Sequence, residues 1–458
     1  MMVHDEISVA ILVISIISLY MVVNIYSLLV GSIKYPTISG FFFLKFLIFA
    51  FIGSVLLNVT YFEYEITLGF YSRKDLLLTL WMYCMGALWL QVLGIYLANI
   101  VLCYRPAKGL DLVKSNQMYF VKSDHSNSFK LALFLLLLTG LLALKMYLNE
   151  IETIPINGLF MELAVSDLAR LRSDAGNNFD GRFWLYRLFM KELPLLLFMI
   201  VFFFKNKSFF WKVSYWFLFL SNIFVSIMSL EKAPIIQFFL LIILLNLYQK
   251  NKVDWKLLGT YFLLISTSLI LMYFFFMGMG ANHDIFDVVS AIFHRIFIGQ
   301  ISQFWWWQLY QEQFGYLYGL SMPNPMHIFP FDHKRITVEV MNFAHPELSS
   351  LGRVGSMPTI YFADWFINFG TIMACFSMIF FGFITQLLDI LILRKLAIKK
   401  TLLLSVLYVY LIEYFAHFSG TSFFGIVFDL QWIVPSLIIF VLYLVKIPFS
   451  KNLKKLTS

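Results

Sequence analysis

Residues 7–30 read ISVAILVISIISLYMVVNIYSLLV, a run that contains no charged side chain. A helix needs about 20 apolar residues to cross the hydrocarbon core of a bilayer. Backbone polar groups in lipid must be satisfied within their own segment, which favours helices, and the run lacks the period-two alternation of a barrel strand. The preceding segment, Met1–Glu6, is acidic and no A-x-A cleavage pattern follows. We therefore expect a retained transmembrane helix and not a signal peptide.

The same pattern recurs along all 458 residues, which are 60% apolar and 13% charged. Soluble domains carry about 25% charged residues, so lipid must be part of the solvent of this chain. The apolar runs predict an all-α polytopic membrane protein that forms a single membrane-embedded domain, 1–458, without internal repeats. The eleven predicted spans are 7–30, 40–61, 76–101, 130–148, 184–204, 212–230, 232–248, 257–277, 362–393, 401–418 and 429–446.

Basic residues set the expected orientation of these spans. Lysine and arginine are concentrated in segments 102–130, 205–212, 249–256 and 394–400 and in the tail after Lys446. Positive connections remain on the cytoplasmic side, which predicts a periplasmic N-terminus and a cytoplasmic C-terminus. Two long periplasmic loops follow from this topology, 149–183 and 278–361. Apolar residues at helical spacing within 160–171 and 284–311 predict amphipathic helices that lie on the membrane surface.

Eight of the ten arginines fall on the outer side of this topology, although most lysines fall on the inner side. Topology alone would deplete both residue types outside. A guanidinium binds phosphate through two parallel hydrogen bonds, which an ammonium cannot do. The retained arginines therefore indicate a site for phosphate, although single arginines could instead anchor the interface or pair with acids.

Charged residues also fall within the predicted spans. Lys191, Lys232, Glu413, His417 and Asp429 all lie well above the expected cytoplasmic boundary by the helical rise per residue. Charges at such depth are costly and either pair with one another or line a cavity. A set of buried ion pairs is one interpretation. The other is a polar cavity suited to a lipid that carries a phosphate or pyrophosphate.

Motifs of soluble enzymes are missing from the sequence. There is no Walker loop, GxGxxG, HExxH or GxSxG motif, and no acidic pair of the DxD type in a cytoplasmic connection. The three cysteines lie in or beside apolar runs without metal-ligand spacing. The cytoplasmic connections are too short for a nucleotide-binding domain. These features predict a reaction that needs no metal or cofactor, and they predict no nucleic-acid partner. The donor would then be a substrate that is already activated and linked to a lipid.

Two short motifs carry a resemblance to a known family. One is the turn Ser229-Leu-Glu231-Lys232-Ala-Pro234 that opens a span. The other is Gly352-Arg353-Val-Gly355-Ser356-Met-Pro358, followed by Tyr361-Phe-Ala-Asp364-Trp365-Phe-Ile-Asn368-Phe369-Gly370. Together with the large outer loop before this span, they resemble the bacterial oligosaccharide repeat-unit polymerases, the Wzy-type O-antigen polymerases.

The resemblance implies a GT-C-like glycosyltransferase of the bacterial inner membrane that serves lipopolysaccharide biosynthesis. Such enzymes transfer a growing glycan from undecaprenyl pyrophosphate to a fresh lipid-linked repeat unit at the periplasmic face. The product would be O-antigen or a related surface polysaccharide, and a protein that regulates chain length would be a further partner. An O-antigen ligase and a polysaccharide flippase remain alternatives, although transporters commonly show internal repeats.

The expected mechanism needs cations for the departing pyrophosphate and a base for the acceptor hydroxyl. The candidate pyrophosphate ligands are Arg170, Arg172, Arg182, Arg187, Lys191, Lys232, Arg295 and Arg353. The candidate bases are His345, which we rank first because it precedes the glycine-rich motif, and then Asp364, Glu339, His294 and His417.

Overall fold

The computed structural model describes residues 6–31, 36–105, 127–161, 165–176, 179, 183–250, 255–276, 284–324, 328–347, 355–399, 401–420 and 429–446. Regular structure in these residues is helical throughout, as predicted. The principal helices are α1 (Glu6–Val30), α2 (Ile38–Val59), α3 (Lys74–Val101), α4 (Asn127–Glu150), α5 (Val165–Asp174), α6 (Phe183–Tyr186, Arg187–Glu192 and Leu193–Phe202), α7 (Phe209–Met228), α8 (Lys232–Lys250), α9 (Trp255–Phe276), α10 (Ile285–Phe297), α11 (Ser302–Phe314), α12 (Ile336–Ala344), α13 (Ala363–Lys399), α14 (Leu402–His417) and α15 (Leu430–Lys446).

The chain is a polytopic helical membrane protein. Six helices in the described residues are long and apolar enough to cross a bilayer, and a seventh crossing results if α10 and α11 count as one broken span. These six are α1, α2, α3, α4, α7 and α13. A helix also occupies each of the other five predicted segments, but four of these are shorter apolar helices. The count of eleven crossings therefore stays a prediction.

Contacts divide the chain into two compact units. Unit 1 comprises Met1–Lys114, Asn282–Arg394 and Ile412–Phe428. Unit 2 comprises Ser115–Ala281, Lys395–Leu411 and Asp429–Ser458. Each unit therefore combines segments that are distant in the sequence.

Glycines allow close helix packing in unit 1. A Cβ atom at Gly94 of α3 would lie 2.0 Å from the carbonyl oxygen of Ile379 in α13. Conversely, a Cβ atom at Gly382 of α13 would lie 2.0 Å from the carbonyl oxygen of Gln91. Small residues drive helix association in membranes because the backbones can approach closely and gain van der Waals contact.

A buried polar network fixes the start of α2 in the same unit. The backbone amides of Ile38 and Ser39 each donate to the Asp389 carboxylate at 2.8 Å. A carboxylate at a helix N-terminus satisfies unpaired amides and complements the helix dipole. The Gln386 amide donates to Asn99 Oδ1 at 2.8 Å, which joins α3 to this network through α13.

Segment 284–311 differs from the single surface helix that we predicted. It forms α10 and α11, whose axes are bent by 53°. Asp284 caps α10, and large apolar side chains of this helix, among them Phe286, are exposed. In contrast, α11 is largely buried, with Trp305 and Trp307 almost fully enclosed. The tryptophan run therefore packs inside unit 1 and does not form a lipid-facing belt.

Helix α13 is interrupted near its start. Gly370 has φ 80°, where only glycine is unstrained, and the backbone of α13 is non-helical at this residue. The interruption frees carbonyl groups, and the amides of Leu317 and Tyr318 donate to the carbonyl oxygens of Ile367 and Asn368 at 3.0 and 3.1 Å. The Asn-Phe-Gly motif is therefore a helix break to which the segment after α11 is attached.

In unit 2, a hydrophobic cluster surrounds Tyr147 of α4. Its ring packs with Met190, Val225 and Met228, and its hydroxyl donates to the carbonyl oxygen of Ala175 at 2.6 Å. The helix predicted in the first outer loop is present as α5, and this hydrogen bond ties its C-terminal end to α4.

Candidate functional site

In α6, a π-helical turn, Arg187–Glu192, positions three of the charged side chains within unit 2. Pro194 has no N–H and cannot donate to the carbonyl four residues earlier, so the regular α pattern is interrupted here. A Cβ atom at Gly140 of α4 would lie 3.3 Å from the proline ring, so the absence of a side chain there leaves room for it. Single π-helical turns are rare in proteins, and those that occur often lie at functional sites.

A hydrogen-bond network connects this turn to α14 and α15. With its amide oxygen toward the guanidinium, Gln431 accepts from Nε and Nη2 of Arg187 at 3.0 Å each. The Tyr410 hydroxyl lies 2.6 Å from the Gln431 carbonyl oxygen and 3.1 Å from Glu192 Oε2. Glu192 is buried, so its carboxylate needs such a donor. The turn, α14 and α15 are thereby held in one arrangement.

Arg187 is therefore oriented by a neutral group. Within the described residues no carboxylate lies within ion-pair distance of its guanidinium, and its hydrogen-bonding partner is the Gln431 amide. Arg172 in α5 is also suited to bind an anion, because its Nε is buried without a hydrogen-bond partner among the described residues. Both arginines were predicted from the sequence as phosphate ligands, and both lie in unit 2.

The other predicted cations differ in their surroundings. Arg170 is exposed and lies 3.8 Å from Asp174. Lys191 lies on the π-helical turn, Lys232 is the first residue of α8, and Arg295 is exposed on α10 in unit 1. Arg182 and Arg353 lie outside the described residues.

In unit 1, the predicted base His294 is paired with an acid. His294 Nε2 lies 2.8 Å from Glu65 Oε1. Glu65 is fully buried, whereas a quarter of the histidine side chain (26%) remains exposed. The rings of Phe62 and Tyr64 contact the imidazole edge-on, with centroids 5.9 and 6.0 Å away. A carboxylate that holds one ring nitrogen fixes the orientation and tautomer of the imidazole.

Negatively charged carboxylates lie near this pair. Burial, together with the charges of Glu65 and then Glu347, raises the pKa of Tyr64 above its ordinary value. Burial also raises the pKa of Tyr71 to about 12, and the charge of Glu65 adds to that increase. A neutral phenol is thus favoured at both positions, so the tyrosines can donate hydrogen bonds but cannot act as bases at neutral pH.

The base that we ranked first, His345, belongs to the same neighbourhood. Its Nδ1 lies 3.3 Å from Glu347 Oε1, the carboxylate whose charge acts on Tyr64. Its ring packs beside Trp306 at 6.2 Å, and Trp306 contacts Trp305 edge-on at 5.0 Å. Two of the five candidate bases therefore lie in unit 1 beside aromatic rings, and the charge of Glu347 next to His345 reaches Tyr64 next to His294.

The remaining three candidates have separate surroundings. Asp364 is buried in the first turn of α13, and Glu339 is exposed on α12. His417 ends α14, one turn after Glu413, whose Oε1 lies 3.6 Å from Lys45 Nζ. Glu413 therefore has an ion-pair partner from α2 that the sequence did not predict.

Sequence reasoning missed three residues that complete these sites: Glu65, Tyr410 and Gln431. Glu65 had a usable signal, since Glu63 and Glu65 are two acids in one short connection between predicted spans of a chain that is poor in charge. Tyr410 and Gln431 had none, because single polar residues in apolar runs are common. Comparisons with protein-family models, with curated proteins and with solved structures find no match to this chain.

Proposed function

We propose that this protein is a glycosyltransferase that polymerises lipid-linked oligosaccharide repeat units. The donor and the acceptor would both carry undecaprenyl pyrophosphate, and the product would be O-antigen or a related surface polysaccharide. The observation that supports this most is Arg187, a guanidinium at a π-helical turn that a neutral amide orients. Because no acid neutralises it in the described part of unit 2, its charge is available to an anionic ligand.

Transfer from a prenyl pyrophosphate places negative charge on the leaving group. The bond between the anomeric carbon and the pyrophosphate oxygen breaks, and the acceptor hydroxyl oxygen forms the new bond to that carbon. Cations that are already oriented stabilise the developing charge without reorganising. Arg187 would bind the pyrophosphate bidentately, with Arg172 and Lys191 as further cations of unit 2.

The acceptor hydroxyl must lose its proton during this step. We now place His294 before His345 among the candidate bases, and its contact with Glu65 supports this order. Its partner Glu65 is fully enclosed and would stabilise the imidazolium that forms when the hydroxyl proton is taken up. His345, with the exposed Glu347 beside it, stays the second candidate.

Eleven crossings, a GT-C-like arrangement and location in the inner membrane belong to the same proposal. The N-terminus would be periplasmic and the C-terminus cytoplasmic, so that the loop with His294 faces the compartment where the lipid-linked donor resides. Helices at all eleven predicted positions support the count. A protein that regulates chain length would be an additional partner.

The test is a glycan-size gel with purified protein and the host's undecaprenyl-pyrophosphate-linked repeat unit as the sole substrate. We expect a ladder of products spaced by one repeat. The ladder should be lost in Arg187→Gln and in His294→Ala and should persist in Arg73→Gln, whose guanidinium is already paired with Asp75 and Glu312. Products that form only after lipid A-core is added would identify a ligase instead. Unchanged substrate in both cases, from folded wild-type protein, would reject transfer and favour a transporter.

A further inference from the structure

The end of α11 and the segment that follows it carry exposed aromatic side chains. Phe314, Tyr316 and Tyr318 are 55%, 42% and 79% exposed, and we call these three the aromatic rim. The rings of Tyr316 and Tyr318 meet edge-to-face with centroids 6.3 Å apart. In a membrane protein such exposed rings face either the lipid headgroups or a ligand, and their backbone and surroundings decide between the two.

The backbone that carries the rim is rigid. The amides of Leu317, Tyr318 and Gly319 all donate to residues 367–368 at the break in α13, the last of them to the Asn368 side chain at 2.8 Å. The fully buried Asn368 amide also donates to Ser321 Oγ at 2.6 Å. From the other side, the amide of Lys334 donates to the carbonyl oxygen of Leu320 at 2.8 Å.

Tyr318 is held in a conformation that its side chain disfavours. Its φ is +50°, in the left-handed region that residues with a side chain rarely adopt. Neighbouring Gly315 and Gly319 also have positive φ, which glycine adopts without strain. Such strain persists where the surrounding structure imposes it and is concentrated at ligand-binding sites. Here the hydrogen-bonded backbone holds the Tyr318 ring in an exposed position.

Charged residues lie beside the end of the same segment, where His333 Nδ1 is 2.8 Å from the Met322 carbonyl oxygen. Asp332, His333, Lys334 and Arg335 are consecutive and exposed. The rim therefore combines aromatic rings on a fixed backbone with charged residues nearby. This combination suits a hydrophilic ligand that also has apolar faces. A sugar ring has such faces in its C–H groups, and tyrosine offers a large contact area at a low cost in conformational entropy. A fluid lipid surface needs neither a strained backbone nor a directed ring.

We infer that the aromatic rim binds the glycan chain of the substrate. This inference rests on the proposed function and specifies how the polymer is held between successive transfers. Tyr318 and Tyr316 would stack on sugar rings, and Asn368 would be a positioning residue that keeps them in place. Retention of the product at this surface would favour long chains over short ones.

The experiment measures glycan binding separately from transfer. Full-length protein in nanodiscs is titrated with the host's surface polysaccharide after mild acid has released it from its lipid, so the probe carries neither prenyl chain nor pyrophosphate. Tyr318→Gly is the decisive variant, because it removes the ring while glycine suits the left-handed backbone, and its thermal stability should equal or exceed that of the wild type. We expect about tenfold weaker binding.

Two further variants serve as controls. Tyr318→Trp retains a flat aromatic surface and should retain binding. Tyr20→Ala removes a tyrosine that is 72% exposed within the apolar helix α1, and it should change nothing. Equal affinity of Tyr318→Gly and the wild type would overturn the inference. It would also be overturned if lipids brominated near the headgroup quench the additional fluorescence of Tyr318→Trp and the glycan does not change that quenching.

The two proposals fail in distinguishable ways. If the wild type binds the released glycan through Tyr318 but forms no ladder from lipid-linked repeats, the glycan site stands and the polymerase proposal fails. If the ladder forms and Tyr318→Gly alters neither glycan affinity nor product length, the polymerase stands and the glycan site is rejected. Shorter products from Tyr318→Gly at an unchanged rate of first transfer would support both.

Discussion

The two π-helical turns of the described chain have the same backbone irregularity and different side chains. In unit 1, the turn Leu47–Phe51 within α2 reads LIFAF and is entirely apolar. In unit 2, the turn Arg187–Glu192 within α6 reads RLFMKE and carries three charged residues. The first is followed by a close helix contact, and the second by a hydrogen-bond network. A π-helical turn therefore does not by itself indicate a functional site. Its role depends on the side chains that the turn carries.

The largest effect is expected where the first turn meets its neighbour. A Cβ atom at Gly53, two residues after that turn, would lie 1.8 Å from the backbone carbonyl oxygen of Phe297, which cannot rotate away. Gly53→Ala should force α2 and α10 apart and destabilise the protein by more than the 1–3 kcal/mol (roughly) that is typical of overpacking.

A matched control for that variant is Gly86→Ala in α3, since a Cβ atom there would meet nothing within 4 Å. It should be neutral or stabilising, because alanine favours helix by about 1 kcal/mol over glycine. Thermal unfolding followed by size-exclusion chromatography in detergent compares the two variants. Equal melting temperatures would show that the contact between α2 and α10 is looser than the structure indicates.

The second turn should respond in activity more than in stability. Arg187→Lys keeps the positive charge but loses the planar fork that binds phosphate bidentately. We expect a loss of roughly 10- to 100-fold in the initial rate of glycan transfer, in proportion to one or two lost charge-assisted hydrogen bonds.

Arg73→Lys is the corresponding change in unit 1, at an arginine that Asp75 and Glu312 already pair at 2.8 and 3.1 Å. Transfer should change less than about twofold, because exposed ion pairs contribute little and this guanidinium is not available to an anion. Similar losses at Arg73 and Arg187 would remove the distinction between an arginine paired with acids and one oriented by an amide.

The comparison also explains which parts of the fold were predictable. Apolar runs determine where helices form, because a bilayer imposes their length and composition, and a helix occurs at every predicted span. The breaks were harder to predict. The bend between α10 and α11 and the interruption at Gly370 depend on tertiary contacts that no local pattern records, although Pro194 beside the second π-helical turn was visible in the sequence.

The candidate sites were predictable one side chain at a time but not as groups. His294 and Arg187 stood out as polar residues in an apolar chain. Their partners Glu65 and Gln431 lie 229 and 244 positions away in the sequence. Tyr410 and Glu192 are 218 positions apart. Such pairings follow from the packing of distant helices, so a single sequence supplies the candidates and only the fold selects among them.

The smallest predicted effect separates orientation of Arg187 from its charge. Tyr410→Phe removes the hydroxyl that bonds Glu192 and the Gln431 carbonyl, so the buried carboxylate loses a donor and the stability should fall by about 1–2 kcal/mol. Since α14 then holds α15 less firmly, the Gln431 amide should orient Arg187 less well, and the KM for the lipid-linked donor should rise more than kcat falls. Tyr408→Phe is the control. Tyr408 is a buried tyrosine two residues before Tyr410, and its ring contacts Tyr248 edge-on. If Tyr410→Phe lowers the melting temperature without changing KM, the network stabilises unit 2 but does not position Arg187 for the substrate.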